Sequence, residues 1–357
     1  MSSSLGRPFR LASLLFALLF LACLARAQTD FRVGTASAAP GQKATGYIEV
    51  PAGVDAGTNI PVAVVRGSRP GPVLALVTGA HGTEYASIIA VEKLIGLLDP
   101  HEISGTVILI PLVNVASFEQ KVPHVNPVDN KNMNRFYPGK VDGTETERAL
   151  FLITNDVVDR SDYLIDYHGG DIDESLRPYA YWAPTGRDAQ DRTSKQMVLA
   201  FGLDHIIIWR ERPSDRAQTR YLDNTASARG KPSIVVEAGY AGRVDTDDIA
   251  LLVTGTLSTM RELKMLEGEP RPVENPVWID RLVDVPSETD GIFYPDVKRG
   301  TYVAAGMKLG RVTDFFGQTI AEPRAPAAGV VLHIDAVPSL KKGDHIANIG
   351  VLAQRAP

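Results

Sequence analysis

The chain has 357 residues, 37 basic against 42 acidic, and a formal net charge of −5. Hydrophobic residues make up 44% and charged residues 22%, a composition that supports a packed core and excludes a disordered chain. The acidic balance argues against a nucleic-acid partner, and a single cysteine excludes both a disulfide framework and a cysteine-ligated zinc module. Any metal site must be built from His, Asp and Glu.

The first segment, 1–27, reads as a secretory signal peptide. Arg7 and Arg10 precede a nearly continuous apolar run from Leu11 to Leu24, and Ala25-Arg26-Ala27 offers a small-residue cleavage site before Gln28. The run is short of the ~20 residues that a membrane span requires. A periplasmic or secreted mature chain is therefore expected, with no stable membrane span once the signal is cleaved.

Residues up to about 70 alternate between strand-like and turn-like segments. Val73 to Thr78 is a continuous apolar run, as for a strand buried on both faces, and ends at Gly79-Ala80-His81-Gly82. Ile88, Val91, Leu94, Ile95 and Leu98 then follow at helical spacing. A second buried strand spans Thr106 to Val113, and a long polar loop runs from Asn114 to about Gly143. A helix is expected over Thr146–Arg160, a strand over Tyr163–His168, a helix over Ser194–Phe201, strands at His205–Trp209 and Ser233–Glu237, and a helix over Asp247–Leu266. Strands alternating with helices predict an α/β fold, a mixed central sheet with flanking helices. The proline-rich stretch from Glu269 to Pro276 breaks this rhythm. Beyond it only short strands and glycine turns remain. The expected organisation is a hydrolase domain over 28–268 and a small C-terminal all-β, barrel-sandwich-like domain over 275–357.

Three strand ends carry chemistry. His81-Gly-Thr-Glu84 sits where one buried strand turns into a helix, Asp166-Tyr-His168 at the end of another, and Glu237 directly after a third. The ends of strands are where open α/β sheets place their sites. Each signal alone has an ordinary reading: a capping glutamate, a loop histidine, an exposed strand tip. Together they offer two His and one Glu, the ligand set of carboxypeptidase-type hydrolytic zinc sites, with a fourth side chain, the carboxylate of Glu237, left over to act as base. A fourth feature is the loop from Asn126 to Gly139, whose Asn134-Arg135 pair could grip a substrate carboxylate through a bidentate guanidinium fork.

These four elements in this order resemble the succinylglutamate desuccinylase/aspartoacylase family, related in fold to zinc carboxypeptidases. The resemblance covers about residues 60–355. It implies that His81, Glu84 and His168 ligate one Zn2+, that Glu237 activates water, and that Asn134 and Arg135 bind the substrate's carboxylate. Two departures stand out. Many members carry an arginine near Pro123–Pro127 that polarises the scissile carbonyl; here His124 occupies that stretch and is its candidate replacement. Asn132 stands where some members have an acid. The expectation is an exported zinc-dependent hydrolase acting on a small anionic amide such as an N-acyl amino acid. A metallocarboxypeptidase or amidase acting on peptides or cell-wall fragments, and a catalytically weak zinc-containing binding protein, are the alternatives. Arg210, Arg212, Arg216 and Arg220 read as a solvated loop, and His101, His205, His333 and His345 as ordinary histidines.

Overall fold

The computed structural model describes residues 29–211 and 215–357; the expected signal segment and Arg212 lie outside them. Nineteen strands and six α-helices follow one another along the described residues. The strands are β1 (Phe31–Val33), β2 (Ala36–Ala38), β3 (Gln42–Val50), β4 (Thr58–Arg66), β5 (Arg69–Thr78), β6 (Ser104–Ile110), β7 (Tyr163–His168), β8 (Glu174–Leu176), β9 (Tyr179–Trp182), β10 (His205–Ile208), β11 (Ser233–Glu237), β12 (Val277–Pro286), β13 (Gly291–Pro295), β14 (Tyr302–Val303), β15 (Gly310–Thr313), β16 (Thr319–Ala321), β17 (Gly329–Asp335), β18 (Ser339–Leu340) and β19 (His345–Leu352). The helices are α1 (Tyr85–Leu97), α2 (Val115–Gln120), α3 (Glu145–Ile153), α4 (Asp188–Phe201), α5 (Leu222–Ala228) and α6 (Thr246–Glu262).

A 13-stranded mixed sheet organises the molecule, in the order β14-β17-β19-β12-β10-β9-β11-β7-β5-β6-β4-β3, with β8 paired to β17. Its centre is parallel: β11 beside β7, β7 beside β5, and β5 beside β6. These strands are buried on both faces, which is why they read as unbroken apolar runs. Their side chains alternate between two cores. Leu74, Leu76, Val107 and Leu109 pack with α1, α4 and α6 through Leu94, Phe201, Leu252 and Met260. Ala75, Val77, Ile108 and Ile110 face the other way, onto α3, α5 and the β1–β2 hairpin through Leu150, Leu222 and Val33. The expected mixed central sheet with flanking helices is therefore present.

After residue 276 the described chain forms strands and no α-helix. The main sheet nonetheless continues into this region: β12 runs parallel to β10 on one side and antiparallel to β19 on the other. Strands β16, β15, β13 and β18 form a separate four-stranded sheet, and Phe293, Val312, Ile346 and Ile349 fill the space between the two. A seam of Leu176, Tyr179, Ile207, Ile279 and Val330 ties the halves together. No helix among the described residues is long and apolar enough to cross a membrane.

Candidate active site

From β5 the chain passes to β6 on one side and later to β7 on the other, so strand order reverses beside β5. Such a reversal leaves a crevice at the strands' carboxyl ends. There β5, β7 and β11 end side by side, with Glu237 opposite His168 in register. Close approach of these ends depends on glycine. A Cβ on Gly239 (φ +153°) would lie 2.6 Å from the Gly170 nitrogen, and one on Gly169 would lie 2.5 Å from the Ala238 carbonyl oxygen.

The turn after β5 is pinned by α2. Its N-cap residue, Asn114, donates from its side chain to the Ala80 carbonyl at 3.1 Å, and Ser117 Oγ accepts from the Gly82 N–H at 2.9 Å. The Thr83 hydroxyl donates to buried Asp171. This fixes His81 and Glu84 towards one point. The Glu84 carboxylate lies 2.6 Å from His81 Nδ1 and 3.1 Å from His168 Nδ1. One ligand atom from each of these three residues falls within 4.8 Å of the others, and among the described residues this is the group of His and carboxylate side chains arranged to hold a metal ion.

The opposite ring edges are held as well. His81 Nε2 is 3.1 Å from Asn132 Oδ1, and His168 Nε2 is 3.3 Å from Asp166 Oδ1. A proton on each Nε2 leaves both Nδ1 lone pairs facing Glu84, the tautomer a divalent cation needs. Asn132 thus does as an amide what an acid would do there: it accepts from His81. The donor chemistry, the facing lone pairs and the supporting acceptors fit Zn2+.

Electrostatics reflect crowded acids around two imidazoles. Burial works to raise the Glu84 carboxyl, but His81 and His168 outweigh it and hold it at about 2. Burial works to lower His168; Asp166 and Glu84 overcome that and raise it. Glu237 is pushed well above the usual carboxylate range by burial, then by Glu84, Glu174 and Asp166, against the pull of His168. A divalent cation at the Glu84 cluster would reverse that repulsion and return Glu237 to a base. Burial also raises Glu174 and Asp223 to about 7 each.

The cluster opens onto a cavity of about 300 Å³. All seven residues singled out for the site border it: His81, Glu84, His124, Asn134, Arg135, His168 and Glu237. Arg135 lies over the Tyr221 ring at 4.9 Å and spends one N–H on the Asn134 carbonyl, leaving the rest of its fork free. The Asn134 amide is engaged at both ends, its Nδ2 3.0 Å from His168 Nε2 and its Oδ1 accepting from the Leu222 N–H at 3.1 Å. His124 has both ring nitrogens on acids, Nδ1 3.3 Å from Asp171 and Nε2 3.0 Å from Asp173.

Several residues of the cavity were not singled out from sequence. Tyr179 and Tyr181 come from β9, Asp223 from α5, and His333 and Asn348 from the C-terminal strands. The alternation in Tyr179-Ala-Tyr-Trp182 was a legible strand signal; α5 (Leu-Asp-Asn-Thr-Ala-Ser-Ala) is too polar and short to announce itself. His333, read from sequence as an ordinary histidine, borders the cavity through sheet pairing that its local sequence does not show. Of the arginine cluster, Arg210 is bound to Asp280 at 2.8 Å, away from the cavity.

Comparison with known proteins places this geometry. The chain matches the model of the succinylglutamate desuccinylase/aspartoacylase catalytic domain over residues 70–263. It is 29% identical over 302 residues to the N-alpha-acetyl-L-2,4-diaminobutyric acid deacetylase of Halomonas elongata, covering 83% of this chain and 86% of that protein. The product-bound structure of the ectoine utilization protein EutE (DoeB) from Ruegeria pomeroyi superposes with a TM-score of 0.78 at 25% identity, covering 88% of this chain and 97% of that one. A succinylglutamate desuccinylase from Silicibacter sp. TM1040 shares the fold, with a TM-score of 0.78 at 24% identity over 87% and 95% of the two chains. With its motifs converging at the ends of the parallel strands and more than half its length matching the family's catalytic domain, the chain belongs to the succinylglutamate desuccinylase/aspartoacylase family.

Proposed function

We propose that the protein is an exported, zinc-dependent amidohydrolase that removes the acyl group from a small N-acyl amino acid carrying a free carboxylate. The observation that carries the reading is the convergence of His81, Glu84 and His168 with Glu237 beside them in one cavity. A relative named for deacetylation and the match to the desuccinylase/aspartoacylase catalytic domain support the reaction class. A cavity of about 300 Å³, at the small end of ligand pockets, favours a compact substrate over a peptide.

His81, Glu84 and His168 would hold the ion. When bound, Zn2+ supplies the Lewis acidity that lowers the pKa of water and offsets the charge developing on the carbonyl oxygen. Glu237 takes the proton of the attacking water as the C–O bond forms. It then delivers that proton to the leaving nitrogen as the C–N bond breaks, so one water, one acid and one amine balance. Arg135 grips the substrate carboxylate with the free part of its fork. With His168 Nδ1 committed to a cation, the ring proton sits on Nε2 and belongs to Asp166. The Asn134 NH2 then gives up that contact and is left for a substrate oxygen. His124 is the cation proposed for the carbonyl end.

We also propose an export signal at the N-terminus and a distinct C-terminal unit. The signal segment 1–27 directs export, and N-terminal sequencing of mature protein from a periplasmic fraction should begin at Gln28. Residues 275–357 form a barrel-sandwich-like unit appended to a zinc-carboxypeptidase-like domain, supported by the proline-rich 269–276 and the separate apolar cluster around Phe293. The function itself is tested by elemental analysis of the purified protein together with a panel of N-acetyl and N-succinyl amino acids. One equivalent of zinc and turnover of at least one amide are expected; a preparation that binds no transition metal and cleaves nothing overturns the assignment.

A further inference from the structure

The cavity wall contributed by the C-terminal strands holds polar atoms that nothing among the described residues satisfies. His333 on β17 lies opposite Asn348 on the antiparallel neighbour β19. His333 is 6% exposed, and neither ring nitrogen has a hydrogen-bond partner; buried Asn348 Oδ1 has none either. Both residues line the cavity beside Glu174 of β8, a strand that pairs with β17. One Glu174 oxygen accepts from the Asp171 N–H at 3.1 Å, and among the described residues the carboxylate forms no ion pair. Buried polar groups are normally satisfied, so three orphaned atoms facing one cavity point to a ligand that satisfies them.

The kind of ligand follows from the inventory of these groups. Burial, reinforced by His345 and His124 against Asp173, lowers His333 to about 4, so it is neutral at working pH and offers one lone pair beside one N–H. Asn348 Oδ1 accepts only, and the free Glu174 oxygen accepts; burial raises this carboxyl to about 7, and a cation beside it draws it back to the charged form. Asp171 and Asp173, within three residues of Glu174 in sequence, outnumber the single positive charge of His124 that they flank. Acceptors in an acidic surround fit a nitrogen cation with several N–H bonds and repel a carboxylate.

We propose that Glu174, His333 and Asn348 form a subsite for a side-chain ammonium in the amine half of the substrate, so that the preferred product is a diamino acid. This rests on the amidohydrolase reading for the identity of that amine half. The test does not require turnover. Calorimetric titration of the zinc-loaded full chain compares L-2,4-diaminobutyrate with L-norvaline, in which a methyl group replaces the ammonium, and with L-glutamate. Diaminobutyrate should bind at least about 10-fold more tightly than norvaline, and glutamate most weakly. Glu174→Gln, which keeps the Asp171 contact, and Asn348→Leu should each bring the first two ligands to within about 3-fold. His333→Phe should do the same if its melting curve matches the parent's. Norvaline binding as tightly as diaminobutyrate, or Glu174→Gln leaving the preference intact, overturns the proposal. Selective diaminobutyrate binding without hydrolysis of any N-acyl derivative would instead sink the amidohydrolase reading and leave the subsite standing. Hydrolysis with no preference for the ammonium does the reverse.

Discussion

A histidine can replace an arginine only where it is kept protonated, and His124 is placed for that. Its backbone takes a left-handed φ of +63°, its N–H donates to Asp171 at 3.1 Å, and its ring lies between Asp171 and Asp173. Burial works to lower it, but the Asp173 hydrogen bond and the charge of Asp171 raise it to about 9. The raised value fixes the sign. The cation, and the stability it contributes, are complete below the unfolded pKa near 6.5 and are lost as pH rises through about 9. kcat/KM of the parent should therefore fall above pH 9, whereas His124→Arg should hold its activity there, as steady-state rates between pH 7 and 10 would show. His124→Ala should lose roughly 10-fold, less than the 10²–10³ of a dedicated oxyanion donor, because its N–H groups are shared with carboxylates. Glu237→Gln should retain zinc by elemental analysis while kcat drops by about 10²–10⁴, the usual worth of a positioned general base; parental turnover in that variant would place the base elsewhere. The grouping of His81, Glu84, His168 and Glu237 was legible in sequence because each sits at or just after a strand terminus with a short, readable spacing. His333 and Asn348 were not, because cross-strand register, rather than sequence proximity, makes them neighbours.

At the scale of elements, the site depends on how tightly the ends of β7 and β11 meet. Gly239→Ala would add a methyl in contact with the Gly170 backbone at a φ that side chains avoid, forcing Glu237 out of register with His168. Both zinc retention and kcat should fall together, in contrast to Glu237→Gln. The loop carrying Asn132, Asn134 and Arg135 is anchored at α3 by a capping box: the Thr144 N–H donates to Glu147 at 3.2 Å, and Lys131 adds a bond to the same carboxylate at 2.8 Å. Thr144→Ala should cost about 1 kcal/mol and lower the melting temperature by roughly 2 °C. The central parallel strands and their long helices were readable from apolar runs and helical spacing. The expected helix over 146–160 instead passes at Thr154 into a π-helical turn ending at Val158, and α4 starts at Asp188, ahead of the expected Ser194, through a polar first turn that shows no apolar periodicity. The loop expected from Asn114 to Gly143 holds α2 and a 3₁₀ turn at Met133, whose fully buried side chain anchors it.

Across the whole molecule, a bound cation stabilises the fold in proportion to how far its concentration exceeds its dissociation constant, by about 4 kcal/mol at a thousandfold excess. The chelated protein should melt at a lower temperature than the zinc-loaded one, and zinc should restore both melting point and turnover; identical melting curves would argue that the cluster holds no ion. The main sheet also runs unbroken from the strands that border the cavity into the last third of the chain. A protein cut short after residue 268 would uncover the flank of β10 and its row of unpaired amides, an adhesive border that invites stacking between copies. The same cut would strip one side from the chamber above Glu237. The tail cannot be shed as an ornament, and a nonsense mutation late in the reading frame should yield insoluble material before it yields a slow enzyme.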